Sequence, residues 1–139
     1  MASFDRALAY ALKNEGFYGI DKDDSGGETI WGIARKKNPH WGGWAVVEQN
    51  RNRSNFPDCL KSNTMLLGMR AEFYRNEYWK VIKGDSIINE DVATNLFDRS
   101  INQGCHQAIS LCQRSLGHVE SGVMDSSTLA KINEWNPYA

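Results

Sequence analysis

Glu15-Gly16-Phe17-Tyr18, then Asp24-Ser25-Gly26-Gly27-Glu28-Thr29, then Gly32-Ile33 is the stretch around which the chain is organised. It sets one carboxylate at the end of an expected helix, a second nine residues on in a glycine-rich turn, and a hydroxyl five beyond that. Upstream, Phe4, Leu8, Ala11 and Leu12 recur at helical spacing, with Ala7 beside them and Ser3 ahead as a cap. Residues 4 to 14 therefore read as a short amphipathic helix. Eleven steps of 100° from Phe4 return to the same face at Glu15, so its carboxylate is in phase with the apolar stripe. Lost hydration and the negative end of a helix both favour a protonated carboxyl, which suits a general acid.

Gly16 supplies the turn that stops the helix. Asp21, Asp23 and Asp24 follow in a polar segment that keeps a carboxylate ionised, and two such environments separate an acid from a base as glycoside hydrolysis requires. Blander readings stand beside these. A glutamate at a helix end is commonly solvated, Asp24-Ser25-Gly26-Gly27 is by composition a turn, and Thr29 also fits an N-cap for a helix over Ile30 to Lys37. The run from Asp21 to Gly26 matches the opening of a calcium loop, but the twelfth position, which needs a bidentate glutamate, is Gly32. No metal or other cofactor is expected.

The quoted residues resemble the signature of the glycoside hydrolase family 108 muramidases: E-G-G-Y, D-x-G-G, T and G-I at the same spacing. Val92-Ala93, Leu96-Phe97-Asp98, Ile101-Asn102-Gln103-Gly104, Ala108, Cys112-Gln113 and Leu116-Gly117 are similar to that family's second half, often labelled a peptidoglycan-binding region. The family comprises peptidoglycan N-acetylmuramidases found as phage endolysins and as bacterial proteins that help secreted proteins cross the wall. The resemblance implies Glu15 as catalytic acid. The E-x8-D-x4-T spacing is similar to the Glu, Asp, Thr arrangement of phage-type lysozymes, with the step to Thr differing by one, and makes Asp24 the candidate water-activating base and Thr29 a supporting residue. Tyr18, Gly27, Trp31, Tyr74, Tyr78 and Asn102 are the expected substrate-binding positions. Asn102 is expected to hold the catalytic loop by hydrogen bonds. Two departures stand out: Phe17 replaces the second glycine of E-G-G-Y, and family members are expected to carry further helical sequence after Leu129 to Asn133.

With 139 residues, 41% hydrophobic content and five Trp, the chain is long enough to bury a core without disulfides. A net charge of -1 gives no overall basic surface of the nucleic-acid-binding kind. The start Met1-Ala2-Ser3-Phe4-Asp5-Arg6 shows no signal peptide, and no apolar run is long enough to span a bilayer. Synthesis in the cytoplasm is expected, with a holin, secretion machinery or lysis giving access to the wall, and a monomer as the working state. Cys105 and Cys112 lie seven apart on one expected helix, ~10.5 Å along its axis and beyond disulfide reach. With Cys59 they read as small hydrophobes.

Further along, Trp41 and Trp44 either pack beneath a loop or stack on sugar rings, packing being the favoured reading. Ser62 or Asn63 caps a longer helix through Leu66, Met69 and Phe73, Asn89 caps the next, a helix runs from Cys105 to Leu116, and Ser126 or Ser127 caps the last. The expected fold is mainly α: a single lysozyme-like helical domain over 1–139 with at most a small β-hairpin near residues 17–28. Residues 1–80 would form the catalytic-motif half and 81–139 a helical peptidoglycan-binding-like half that does not fold independently. The function expected is hydrolysis of the β-1,4 bond between N-acetylmuramic acid and N-acetylglucosamine. A lytic transglycosylase, or a non-catalytic peptidoglycan-binding or secretion-accessory protein, is the alternative.

Overall fold

Phe4, Ala7, Leu8 and Ala11 make one apolar stripe, and burying that stripe forms α1 (Phe4–Leu12). Ser3 caps it, its Oγ accepting from the Arg6 amide at 3.4 Å and its carbonyl from Ala7 at 3.1 Å. The computed structural model describes residues 2–21 and 27–135. Among these, the chain is mainly α, with six α-helices and one three-stranded antiparallel sheet. Packing divides it into two compact units, residues 12–73 and residues 1–11 with 74–139.

In the 12–73 unit, strands β1 (Tyr18–Asp21), β2 (Gly27–Ile30) and β3 (Ile33–Ala34) lie in sequential order. The expected hairpin near 17–28 is therefore present and gains a third strand. The helix expected over Ile30 to Lys37 does not form. Ile30 pairs with Ile33 across a two-residue turn, Trp31-Gly32, in which both residues have positive φ, 49° and 84°. That is the handedness a tight β-hairpin turn needs, and it excludes a right-handed helix at the same positions. Thr29 accordingly lies inside β2 instead of capping a helix. Helix α2 (Gly43–Asn50) buries Trp44, Val46 and Val47. Helix α3 (Thr64–Tyr74) is capped by Asn63, whose Oδ1 accepts from the Leu66 amide at 3.0 Å.

The other unit is centred on aromatic rings. Phe4, Trp79 and Phe97 meet edge to face in all three pairings, with centroids 5.5 to 5.9 Å apart, and Tyr74 adds an edge contact to Phe97 at 6.5 Å. Each such contact adds about 1 kcal/mol beyond the apolar area it buries. Trp79 ends a π-helical turn over Arg75–Trp79, in which the Lys80 amide donates five residues back to the Arg75 carbonyl at 2.9 Å. Asn89 caps α4 (Glu90–Gln103) as expected, accepting from the Val92 amide at 3.1 Å. Gly104 then turns the chain into α5 (Cys105–Ser115).

The last helix, α6 (Ser126–Glu134), is capped by Asp125 and not by either serine. Its carboxylate accepts from the Thr128 amide at 2.8 Å and suits the positive helix end better than a hydroxyl does. The Thr128 hydrogen bonds hold the Asp125 carboxyl down at about 2. Before it, the 117–125 loop is tied down by the fully buried Gln113 amide, which donates to Ser121, Val123 and Thr128 and accepts from the Gly122 amide.

Trp79 also dictates a glycine. A Cβ at Gly84 would stand 2.3 Å from two ring carbons of a side chain that is 1% exposed and anchored by its indole N–H to Asp85 at 2.8 Å. Gly84→Ala should therefore lower stability by about 2 kcal/mol through overpacking, measured as a shift in the denaturant midpoint at unchanged slope.

Candidate active site

The antiparallel register sorts the hairpin side chains onto two faces. Tyr18 opposes Ile30 and Ile20 opposes Glu28 on one; Gly19 opposes Thr29 and Asp21 opposes Gly27 on the other. Thr29 is half-buried over Gly19, where an added Cβ would lie 3.7 Å from its Oγ1. Gly27 is buried at the start of β2. Glu15 stands three residues before β1 on the turn that follows α1, half-buried, its amide donating to the Leu12 carbonyl at 3.2 Å. Because α1 stops at Leu12, Glu15 is carried by this turn and not by the helical stripe that the 4–14 periodicity suggested. Asp24, the expected base, lies outside the described residues, as do Asp23 and most of the calcium-like run.

The strongest electrostatic feature of the 12–73 unit went unnoticed in the sequence. Glu28, next to Thr29 and 5% exposed, accepts from the Tyr18 hydroxyl in a short hydrogen bond, from Arg35 Nη1 at 2.9 Å and from Arg51 Nη2 at 3.1 and 3.0 Å on its two oxygens. Both arginines also bind Glu48 on α2, Arg35 at 2.8 Å and Arg51 through a short contact. Burial by itself would push the Glu28 carboxyl up, but the hydrogen bonds from Tyr18, Arg35 and Arg51 outweigh it and the net shift is downward. Hydrogen bonds from Arg51 and Arg35 bring Glu48 down to about 2. Burial and the Glu28 hydrogen bond raise the Tyr18 phenol. The sequence signal was a glutamate amid the glycines and threonine of a hairpin, with two arginines downstream, and nothing local joins them.

Aromatic and cationic groups cover the same segment. Phe17, which stands where the resembled signature has glycine, packs on Trp31 at 5.4 Å. Lys61 Nζ lies 4.8 Å from the Phe17 ring centre and the Arg70 guanidinium 4.6 Å from that of Trp31. The Trp31 amide donates to the Phe17 carbonyl at 2.7 Å. Trp31 itself is 8% exposed. Tyr18 meets Phe56 edge-on at 5.4 Å. Trp44 is buried and donates to the Asn38 carbonyl at 2.8 Å, so it packs under its loop; Trp41 stacks edge-on against it at 5.3 Å.

Of the expected residues in the other unit, Tyr74 is 2% exposed within the aromatic core, Tyr78 is half-buried with its ring 5.9 Å from that of Tyr74, and Asn102 is exposed near the end of α4. Helices α4, α5 and α6 also border an open pocket of about 490 Å³, lined by Val92, Leu96, Leu111, Cys112 and Ile132 among others and by none of the expected site residues. The three cysteines are free and half-buried, and burial raises the thiols of Cys105 and Cys112. Among the described residues no cluster of His, Cys, Asp and Glu could hold a metal ion, and no helix is long and apolar enough to cross a membrane.

Among the described residues, the fold is mainly helical, and its small sheet carries Thr29 and the buried Glu28 just after the turn that bears Glu15. The family model described as Glycosyl hydrolase 108 matches residues 8–104, and the chain belongs to that family. The match includes Glu15, the hairpin and α4, and it stops at the glycine that opens α5. Among solved structures, the chain is similar to SagA of Brucella abortus, with 25% identity, a TM-score of 0.62, and coverage of 96% of this chain and 70% of that one. A search of curated proteins finds no match.

The ion-pair cluster fixes an acid response. A carboxyl whose folded value is depressed contributes stability above its unfolded value, 4.5 for Glu28, and loses it as the pH falls through the folded value. The thermal midpoint should therefore fall between pH 5 and pH 2. The fall should be shallower in Glu28→Gln, which at neutral pH should be less stable by about 2 kcal/mol because two partly exposed guanidiniums lose a charged partner but keep Glu48. Thermal melts across that range check both.

Proposed function

We propose that the protein is an N-acetylmuramidase that hydrolyses the β-1,4 bond between N-acetylmuramic acid and N-acetylglucosamine in peptidoglycan. The observation that carries this reading is the family match across residues 8–104, which takes in Glu15 and the hairpin together. Glu15 protonates the leaving glycosidic oxygen, and Asp24 draws a proton from water or steadies positive charge on the sugar. Water adds across the bond, giving a reducing N-acetylmuramic end and a free 4-hydroxyl on N-acetylglucosamine. Thr29 supports the reacting group from the hairpin face opposite Glu28, and the chemistry calls for no cofactor.

Peptidoglycan glycan strands are the partner in this reading. The site of action is the wall, reached from the cytoplasm through a holin, secretion machinery or lysis. A lytic transglycosylase would also use a single glutamate, but it would leave 1,6-anhydro ends and would not need the aspartate.

Mass spectrometry of soluble products from purified peptidoglycan separates these readings. Wild type should release reducing N-acetylmuramic ends, and Glu15→Gln should lower their rate of release by about 10²–10⁴-fold, the range of a lost general acid. Anhydro ends would mean a transglycosylase. Retained binding without release by wild type would leave a wall-binding protein and sink the hydrolase reading.

A further inference from the structure

The register of β1 on β2 needs a cause. The two strands pair over only four residues each, from Tyr18↔Ile30 to Asp21↔Gly27, so few ladder hydrogen bonds distinguish this register from its neighbours and side chains fixed on one face must specify it. A slip of β2 by one residue would exchange the faces of Glu28 and Thr29. The threonine hydroxyl would then face two guanidinium groups and a phenol, and the carboxylate would be lost from them.

Glu28 is built to forbid that slip. Its carboxylate takes donors from three directions: Tyr18 on the paired strand, Arg35 just beyond β3, and Arg51 at the end of α2. Its own carbonyl accepts from the Arg35 amide at 2.8 Å. The arginines are in turn tied to Glu48 on α2. A buried ionic group of this kind does little for stability that an apolar one would not do, and its best-attested use is to specify register.

We propose that Glu28 is a positioning residue for the hydrolysis, fixing the β1–β2 register against α2 so that Thr29 is presented on the opposite face over Gly19. It acts through Tyr18 and Thr29 and touches no reacting atom. Gly19 completes the arrangement, because its missing side chain leaves the space beside Thr29 Oγ1 open. The kinetic arm of the test rests on the muramidase reading; the structural arm does not.

Wild type, Glu28→Gln and Arg51→Lys are compared by kcat and KM on solubilised peptidoglycan, corrected for folded fraction by circular dichroism. The nuclear Overhauser contact between the Thr29 methyl and the Gly19 α-protons is followed in the same samples. The expected result is a fall in kcat of about 10–100-fold for Glu28→Gln with KM within about twofold, the signature of a misplaced group. A smaller fall is expected for Arg51→Lys, which keeps the charge but loses the fork, and in Glu28→Gln the Thr29–Gly19 contact should weaken or split. Unchanged kcat per folded molecule, or an intact single Thr29–Gly19 contact, overturns the assignment and leaves Glu28 a purely stabilising residue. If wild type hydrolyses nothing, the muramidase reading fails, and the Thr29–Gly19 contact alone decides the role of Glu28.

Discussion

A carboxylate taken out of water must be repaid by donors in the right places, and the organisation of the 12–73 unit follows from that requirement at Glu28. Desolvation opposes the charge, yet a phenol and two guanidiniums converge on it closely enough for the charged form to win. The donors come from the strand before Glu28, the segment after β3 and the end of α2, so satisfying one side chain fixes the relation of three backbone segments. Thr29 is the direct beneficiary. Adjacent strand residues point to opposite faces, and anchoring Glu28 inward leaves Thr29 on the other side.

The remaining helices are held by a different force. Three rings, Phe4, Trp79 and Phe97, contribute large apolar area and edge-to-face contacts that tolerate little adjustment. Gly84 must stay bare for Trp79 to seat, and a π-helical turn delivers that tryptophan. The cluster depends on α1 as much as on the C-terminal helices, since Phe4 supplies one of its rings. The same short helix leads on to the turn that carries Glu15. The match to the glycosyl hydrolase family 108 model, over residues 8–104, takes in both that turn and the hairpin that follows it.

Much of the helical layout was legible because it rests on local rules. Ser3, Asn63 and Asn89 each cap the helix expected of them, and α1 buries Phe4, Ala7, Leu8 and Ala11 of its apolar stripe while Leu12 stays half-buried. The misreadings have local causes too. Thr29-Ile30-Trp31 carries no helix breaker, so a capped helix from Ile30 was a natural expectation, but Gly32 and an unusual left-handed tryptophan close a hairpin there instead. At α6 Ser126 and Ser127 both fit a cap by composition, but the aspartate one residue earlier takes the position with a charged acceptor. Tyr74 is an amphiphile that suits carbohydrate or a helix interface alike, and the fold encloses it against Phe97.

By itself the sequence determined a mainly helical chain, a hairpin near its amino-terminal motif, and the positions of Glu15 and Thr29 within that motif, because these depend on spacing, periodicity and turn chemistry within a few residues. Only the tertiary structure decided what stands around Glu28. Arg35 lies 7 residues from it and Arg51 23 residues away, and no local propensity records that both guanidiniums will meet one buried carboxylate. Ion pairing at such separations is set by how strands and helices pack, and burial alone turns a surface-type residue into the fixed point of its unit.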